Sequence, residues 1–241
     1  MMKSALLFYR KLVSELREMG FEINPYDPCV ANKTINGTQM KIRWHVHDLM
    51  ISHLSQDKIM KVVQGIKDIY GENLVEIVGT VHDYLGMTFD YSFTREVRIN
   101  MWDYLGRVIK EFPEEITGTC ATPAPASDHL FKVCEDGRKL NEELADAFHH
   151  TVYQLLFAAN RARRDIQAAV SFLTTRVKAP AKDNWRKLVN VLKCIYGTRY
   201  MKLILSADEM NSDPRRLQRT NWMPNDDGDG SSNQLIKHNE M

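Results

Sequence analysis

The stretch Trp44-His45-Val46-His47-Asp48-Leu49-Met50-Ile51-Ser52-His53 gathers the residue types of this chain that could do chemistry. An apolar strand, a tight acidic turn and a second apolar strand hold a carboxylate rigidly at the tip of a hairpin. Phosphoryl transfer by two divalent metals needs two or three such oxygen donors, converging on ions about 3.5–4 Å apart. Taken alone, Asp48 has a plainer reading, because aspartate is a common turn residue. His45 and His47 stand two apart on what reads as one strand face, and Asp48 adds a third donor. Zinc or copper could bind such a set; the alternative is two surface histidines on a half-exposed strand. His149-His150 reads as a solvated helix face.

The elements that must position this hairpin are legible in the hydrophobic pattern. Met40, Ile42, Trp44 and Val46 alternate with Lys41, Arg43, His45 and His47, which is strand period with one face buried. Asn36-Gly37 is a hairpin turn signal before it, and Leu49–His53 reads as the return strand after it. Helices are expected over Ser4–Met19, ended by Gly20, and from Asp57 to Tyr70, ended by Gly71. Short strands are expected at Leu74–Val78, Tyr84–Tyr91 and Val97–Met101, then a helix over Asp103–Phe112 stopped by Pro113. Thr117–Asp128 lacks periodicity and reads as a linker or extended crossing segment. Helices follow at Asn141–Asn160, Asp165–Val177 and Asp183–Tyr196. From Ser206 the chain turns polar, and Asp226–Ser232 has the composition of a disordered tail. Trp44, Tyr84, Trp102 and Trp185 read as core or core edge, with nucleobase stacking as the alternative.

Composition bounds the function classes. The 241 residues, 44 % hydrophobic and 26 % charged, suit one large domain or two small ones. Four widely spaced cysteines without a C-x-x-C pair argue against a disulfide scaffold or a structural zinc cluster. No apolar run approaches the roughly 20 residues that span a bilayer, and Met1 opens onto an amphipathic pattern, so an intracellular chain in the cytoplasm or nucleus, with no membrane partner, is expected. Net charge is +1, but Arg161–Lys202 holds eleven Lys/Arg against two Asp/Glu, a local +9. Such a segment could meet a nucleic-acid backbone or simply be a solvated helical face.

Several blocks, in order, resemble the reverse transcriptase of copia-type LTR retrotransposons. Leu7-Phe8-Tyr9-Arg10-Lys11-Leu12 with Glu18-Met19-Gly20-Phe21 resembles the family's W-Y-x-K-L…x-x-G-F helix. Tyr26-Asp27-Pro28-Cys29-Val30 resembles its x-D-P-C-x strand entry, and His45-Val46-His47-Asp48-Leu49 its Y-V-D-D-L catalytic hairpin. Tyr84-Leu85-Gly86-Met87 resembles F-L-G-I, the strands that contact the primer, and Ala121-Thr122-Pro123 the x-T-P after the thumb-side helix. Further on, Val152–Leu156, Arg161–Ile166 and Trp185–Lys193 with Gly197-Thr198 resemble x-G-x-L-x-Y-L, x-T-R-P-D-I and H-x-x-A-x-R-x-L-R-Y-L-x-G-T. The resemblance covers about residues 5–205. Each block is common alone; the ordered set is specific.

The resemblance implies an α+β fold: a partial palm and thumb at residues 1–116 with the fingers largely missing, a linker at 117–128, a mainly helical connection-like region at 129–205 and a polar tail at 206–241. It implies template-directed DNA synthesis on an RNA template with two Mg²⁺ in the family, and a nucleic-acid template–primer as partner. Carried over residue by residue, Asp48 is the surviving metal-side carboxylate and His47 stands at the first hairpin aspartate. Tyr84, Gly86, Arg161, Arg163, Arg164 and Lys187 would meet nucleic acid. The departures point away from catalysis. The family's other catalytic aspartate lies on a strand before the helix that opens this chain, and that strand is absent here. Imidazole cannot replace a carboxylate bridging two Mg²⁺. Arg164 stands where the family has proline. The expectation is an inactive fragment, or alternatively a non-catalytic module that binds nucleic acid or protein, with an exposed sheet edge left by the missing neighbours.

Overall fold

The computed structural model describes residues 2–46, 48–71, 74–124, 131–134, 137–206 and 232–238, with backbone alone at 2–4 and 232–238. It is α+β and divides into two compact units. The first comprises Met1–Tyr84, Phe89–Val97 and Ser206–Met241, the second Leu85–Thr88 and Arg98–Leu205.

The first unit begins with helix α1 (Met2–Glu18). The Gly20 N–H donates to the Arg17 carbonyl and the Phe21 N–H to the Leu16 carbonyl, each at 2.9 Å, with Gly20 at φ 81°. That is a Schellman ending, and it needs glycine because an L side chain resists this left-handed backbone. Strands β1 (Glu22–Ile23), β2 (Val30–Ile35), β3 (Thr38–His45) and β4 (Asp48–His53) then form a meander. Asn36-Gly37 closes β2 onto β3 as the sequence predicts, with φ 51° and 81°. Helix α2 (Gln56–Tyr70) starts one residue before Asp57, which sits in the first turn rather than at the cap, and Gly71 ends it. Strand β5 (Leu74–Gly79) follows. Leu12 and Leu16 of α1, Ile59, Val63 and Ile66 of α2, and Met40, Ile42, Trp44, Leu49 and Ile51 of the sheet share one core. Both helices therefore cover the same sheet face.

The sheet order is β1-β2-β3-β4-β10-β5, where β10 (Ser232–His238) comes from the polar C-terminal stretch. β10 is antiparallel to β4, from Ser232 opposite His53 to Lys237 opposite Asp48, and antiparallel to β5, from Asn233 opposite Gly79 to His238 opposite Leu74. β4 and β5 are thus parallel to each other and joined through α2, a split β-α-β with one place between its strands. The tail was expected to be disordered; its backbone at 232–238 instead fills that place. Composition missed this because a central strand can be held by backbone hydrogen bonds on both edges. Residues 207–231 and 239–241 of the expected tail lie outside the described residues.

After β5 the sequence-predicted strand over Tyr84–Tyr91 proves to be two, β6 (Val81–Tyr84) and β7 (Met87–Phe93), then β8 (Glu96–Asn100). The turn between β6 and β7 is Leu85-Gly86, at φ 54° and 73°. With β9 (Leu203–Ser206) these strands form a second sheet in the order β6-β7-β8-β9.

The second unit is built on α3 (Trp102–Glu111), α4 (Glu142–Ala159), a 3₁₀ turn (Arg164–Ile166), α5 (Gln167–Thr174) and α6 (Lys182–Gly197). Asn141 caps α4 by accepting the Leu144 N–H at 3.2 Å. Phe148, Val152 and Leu155 of α4, Val170 and Leu173 of α5, and Leu188, Val191 and Leu192 of α6 are buried. The expected boundary near residue 117 moves to about 98 because α3 belongs with these helices. Phe112 stacks on Trp185 with ring centroids 4.9 Å apart, and the Trp185 indole N–H donates to Glu114 at 2.9 Å. The expected linker is not loose where it is described. Asn190 of α6 donates to the Thr122 and Pro123 carbonyls at 3.2 and 2.9 Å, and a side chain at Gly197 would press within 3.0 Å of Thr119. Residues 125–128 of that segment lie outside the described residues.

Arg163 ties the 3₁₀ turn to the end of α6. Its guanidinium is 1 % exposed, makes two hydrogen bonds to Asp165 at 2.8 and 2.7 Å, and donates to Thr198 Oγ1 at 2.7 Å. Removing a buried cation from its pair leaves the other partners unsatisfied. Asp165 keeps 31 % side-chain exposure, which moderates the cost. Arg163→Ala is expected to lower the stability of the second unit by about 2–3 kcal/mol in urea unfolding followed by tryptophan fluorescence; a loss below about 0.5 kcal/mol would refute the role. Deleting residues 232–238 is expected to strip β4 and β5 of amide hydrogen-exchange protection while α4 and α6 keep theirs. Unchanged protection in β4 would show that β10 contributes nothing to the sheet.

Candidate functional site

The hairpin of β3 and β4 is registered by Ile42 opposite Ile51, Trp44 opposite Leu49 and His45 opposite Asp48. The chain leaves β3 at Val46 and re-enters the sheet at Asp48. Val46 has φ 53°, a left-handed backbone that costs an L residue roughly 1–2 kcal/mol and is rarer still for a β-branched one. The buried pairs below the turn hold it there: Trp44 and Leu49 are 4 % and 1 % exposed. His47 lies outside the described residues. Val46 leaves the strand alternation and is half-exposed rather than in the core. Strand period therefore stops at His45 among the described residues, and the expected pairing of His45 with His47 falls on a residue outside them.

Asp48 is half-buried at the first position of β4, opposite the exposed His45. Among the described residues, no group of three or more His, Cys, Asp or Glu side chains is placed to hold a metal ion. His47, a member of the expected donor set, lies outside those residues.

Beneath Asp48, on the sheet face turned away from α1 and α2, lies Arg43. Its guanidinium donates to the Tyr91 hydroxyl at 3.3 Å and its Nε lies 3.2 Å from the Met50 sulfur. It also sits 5.3 and 5.6 Å from the ring centroids of Phe89 and Tyr84. These are cation–π distances. Tyr84 is 6 % exposed, and burial pushes its phenol up to about 12, with Arg43 drawing it down and Asp48 raising it further. Tyr84 is thus a neutral phenol inside the first unit, not a platform for a base. The core reading of this residue is the one its burial supports. Arg43 was missed because Lys41, Arg43 and His45 read as the solvated side of a strand; the aromatics that cover Arg43 arrive more than forty residues later.

The remaining candidates lie in the second unit. Gly86 faces Tyr104 and Phe157: a Cβ there would stand 3.6 and 3.7 Å from their rings. Arg161 stacks 3.5 Å from the Phe157 ring centroid, and Tyr104 donates to the Gln154 carbonyl at 3.0 Å. The fold therefore joins Gly86 and Arg161 through one aromatic pair. Arg164 is exposed on the 3₁₀ turn. Arg163 and Lys187 do not present themselves to a ligand. Arg163 is committed to Asp165 and Thr198. Lys187, 7 % exposed, pairs with Asp183 at 3.0 Å, donates to the Lys132 carbonyl, and lies 4.9 Å from the Phe172 ring centroid. Both charges are buried in contacts within the fold, and a local +9 counted from sequence overstates the charge at the surface. His149 and His150 are exposed on α4 as expected. All four cysteines are free. No helix among the described residues is long and apolar enough to cross a membrane.

No family model matches the chain, and no solved structure matches it. It is similar to a Saccharomyces cerevisiae protein provisionally named a transposon Ty5-1 protein, with 24 % identity over 203 residues. The match takes in 83 % of this chain and 63 % of that protein's length. The similarity supports an origin of the chain in a transposable element.

Proposed function

We propose that the chain is a fragment of the reverse transcriptase domain of a copia-type LTR retrotransposon whose nucleotidyl-transfer centre has degenerated. The observation that carries this reading is the β3–β4 hairpin. A two-residue turn with a strained Val46 delivers one carboxylate, Asp48, at the start of a buried strand. Backbone strain of this kind persists where surrounding structure over-determines it and is frequent at functional tips. Two further features support the reading: the ordered motif blocks of residues 5–205, and the similarity to a transposon protein. The split β-α-β around the hairpin gives a rigid base on which such a tip could once have aimed its donors.

The chemistry that remains is limited by the donor count. Asp48 supplies one carboxylate; the adjacent position is His47. Each missing metal-side carboxylate removes several kcal/mol of transition-state stabilisation. With an imidazole beside Asp48 in place of a second carboxylate, the hairpin is inactive in nucleotide addition. Binding without catalysis would rest on exposed cations such as Arg164 rather than on Arg163 and Lys187.

Primer extension on an RNA template, with Mg²⁺ and separately with Mn²⁺ and with His47→Asp as the matched comparison, is expected to be silent for the wild-type chain, whose hairpin carries a single carboxylate. Extension by the wild type would overturn the inactive reading. In parallel, affinity for an RNA–DNA template–primer is expected to fall linearly with the logarithm of salt concentration; no measurable binding at low salt would count against a retained nucleic-acid role.

A further inference from the structure

The end of α6 and the start of α3 carry a cluster that the polymerase reading does not use. Tyr196, Arg199, Tyr200, Trp102 and Lys202 alternate cation and ring. The Arg199 guanidinium lies 5.0 Å from the Tyr196 ring centroid and 4.8 Å from that of Tyr200. Tyr200 meets Trp102 edge-on at 5.4 Å, and Lys202 Nζ lies 5.3 Å from the Trp102 ring centroid. The two tyrosine rings are open to solvent, Tyr200 63 % exposed and Tyr196 39 %, and Trp102 is half-buried beside them. Both sit in the second unit.

We propose that this cluster is a binding platform for single-stranded nucleic acid. Large exposed aromatics are seldom left in water without a use, and an arrangement of π faces with interleaved cations suits one ligand chemistry in particular. A single strand offers flat bases to stack on rings and a phosphate for each base to meet Arg or Lys. Duplex fits less well, because its bases are already stacked on one another. The charge is of the right sign. Between Arg161 and Lys202 cations outnumber acids eleven to two, and the removal of Arg163 and Lys187 from the surface still leaves the balance positive. Arg199 and Lys202 also hold the rings in place through their cation–π contacts, so the platform exists before a strand arrives. The proposal does not rest on the polymerase reading, since no carboxylate or metal enters it.

The test is fluorescence anisotropy of a labelled 12-nucleotide oligo(dT) against the full chain, over a series of salt concentrations. A matched hairpin duplex and polyglutamate serve as competitors. Wild-type protein is expected to bind the single strand, with quenching of tryptophan fluorescence as bases approach Trp102. Tyr200→Ala is expected to weaken binding about tenfold, and Arg199→Gln to reduce the slope of log affinity against log salt by about one. Tyr200 is largely exposed, so its variant should unfold at the wild-type temperature, which guards against loss through misfolding. Equal affinity for wild type and Tyr200→Ala would overturn the proposal in favour of diffuse charge. Competition by polyglutamate as strong as that by unlabelled oligo(dT) would overturn it in favour of an acidic protein partner. Absence of binding at low salt would overturn it outright. A chain that binds oligo(dT) through Tyr200 yet fails to bind template–primer would keep this inference while removing nucleic-acid binding from the proposal about the polymerase fragment.

Discussion

Burial of β4 on both of its faces is the constraint on which the first unit depends. Leu49 and Ile51 share the core with α1 and α2, while Met50, between them, meets Arg43 and the Tyr91 hydroxyl of β7. A strand flanked by core on both sides cannot slip by one residue without exchanging its two faces. That fixes the register of β3 against β4, and the register in turn sets where the chain must reverse. The reversal begins at Val46, a β-branched residue poorly suited to left-handed backbone. Strain at the tip is the cost of packing at the base.

This is also why the first half of the chain could be read so well. Alternation in Met40, Ile42 and Trp44, the Asn36-Gly37 turn and the glycines ending α1 and α2 are local signals with local causes, and the structure follows them to within a residue or two. The helices of the second unit were legible for the same reason: one apolar stripe each. Non-local facts were not legible. That Thr117–Pro123 lies along α6 depends on Asn190, some seventy residues on. That β6 and β7 are two strands depends on a turn whose first residue is Leu85, an uncommon occupant of left-handed backbone. Site assignments suffered most. Exposure cannot be read from charge: Arg163 and Lys187 look like solvent-facing cations in the sequence, yet each has a partner that draws it in.

The two units differ in what their cations do. In the first, Arg43 stabilises a layer of aromatics from within. In the second, buried cations close turns and helix ends, and cations beside exposed rings remain at the surface. The same pairing of guanidinium with ring serves as mortar in one place and as an open face in the other. Solvent access, not sequence, separates the two uses. Folding of the first unit requires the packing beneath the hairpin and not any particular side chain at its tip.

The place of β10 sets an order of events in the cell. The sheet of the first unit needs a strand that is translated after every residue of the second unit. At about 5–20 residues per second, tens of residues of synthesis separate completion of the helical unit from arrival of residues 232–238. During that interval β4 and β5 present facing edges with nothing between them. A ribosome that stalls in that window leaves a nascent chain whose second unit is finished and whose first is open to pairing with strands from other proteins.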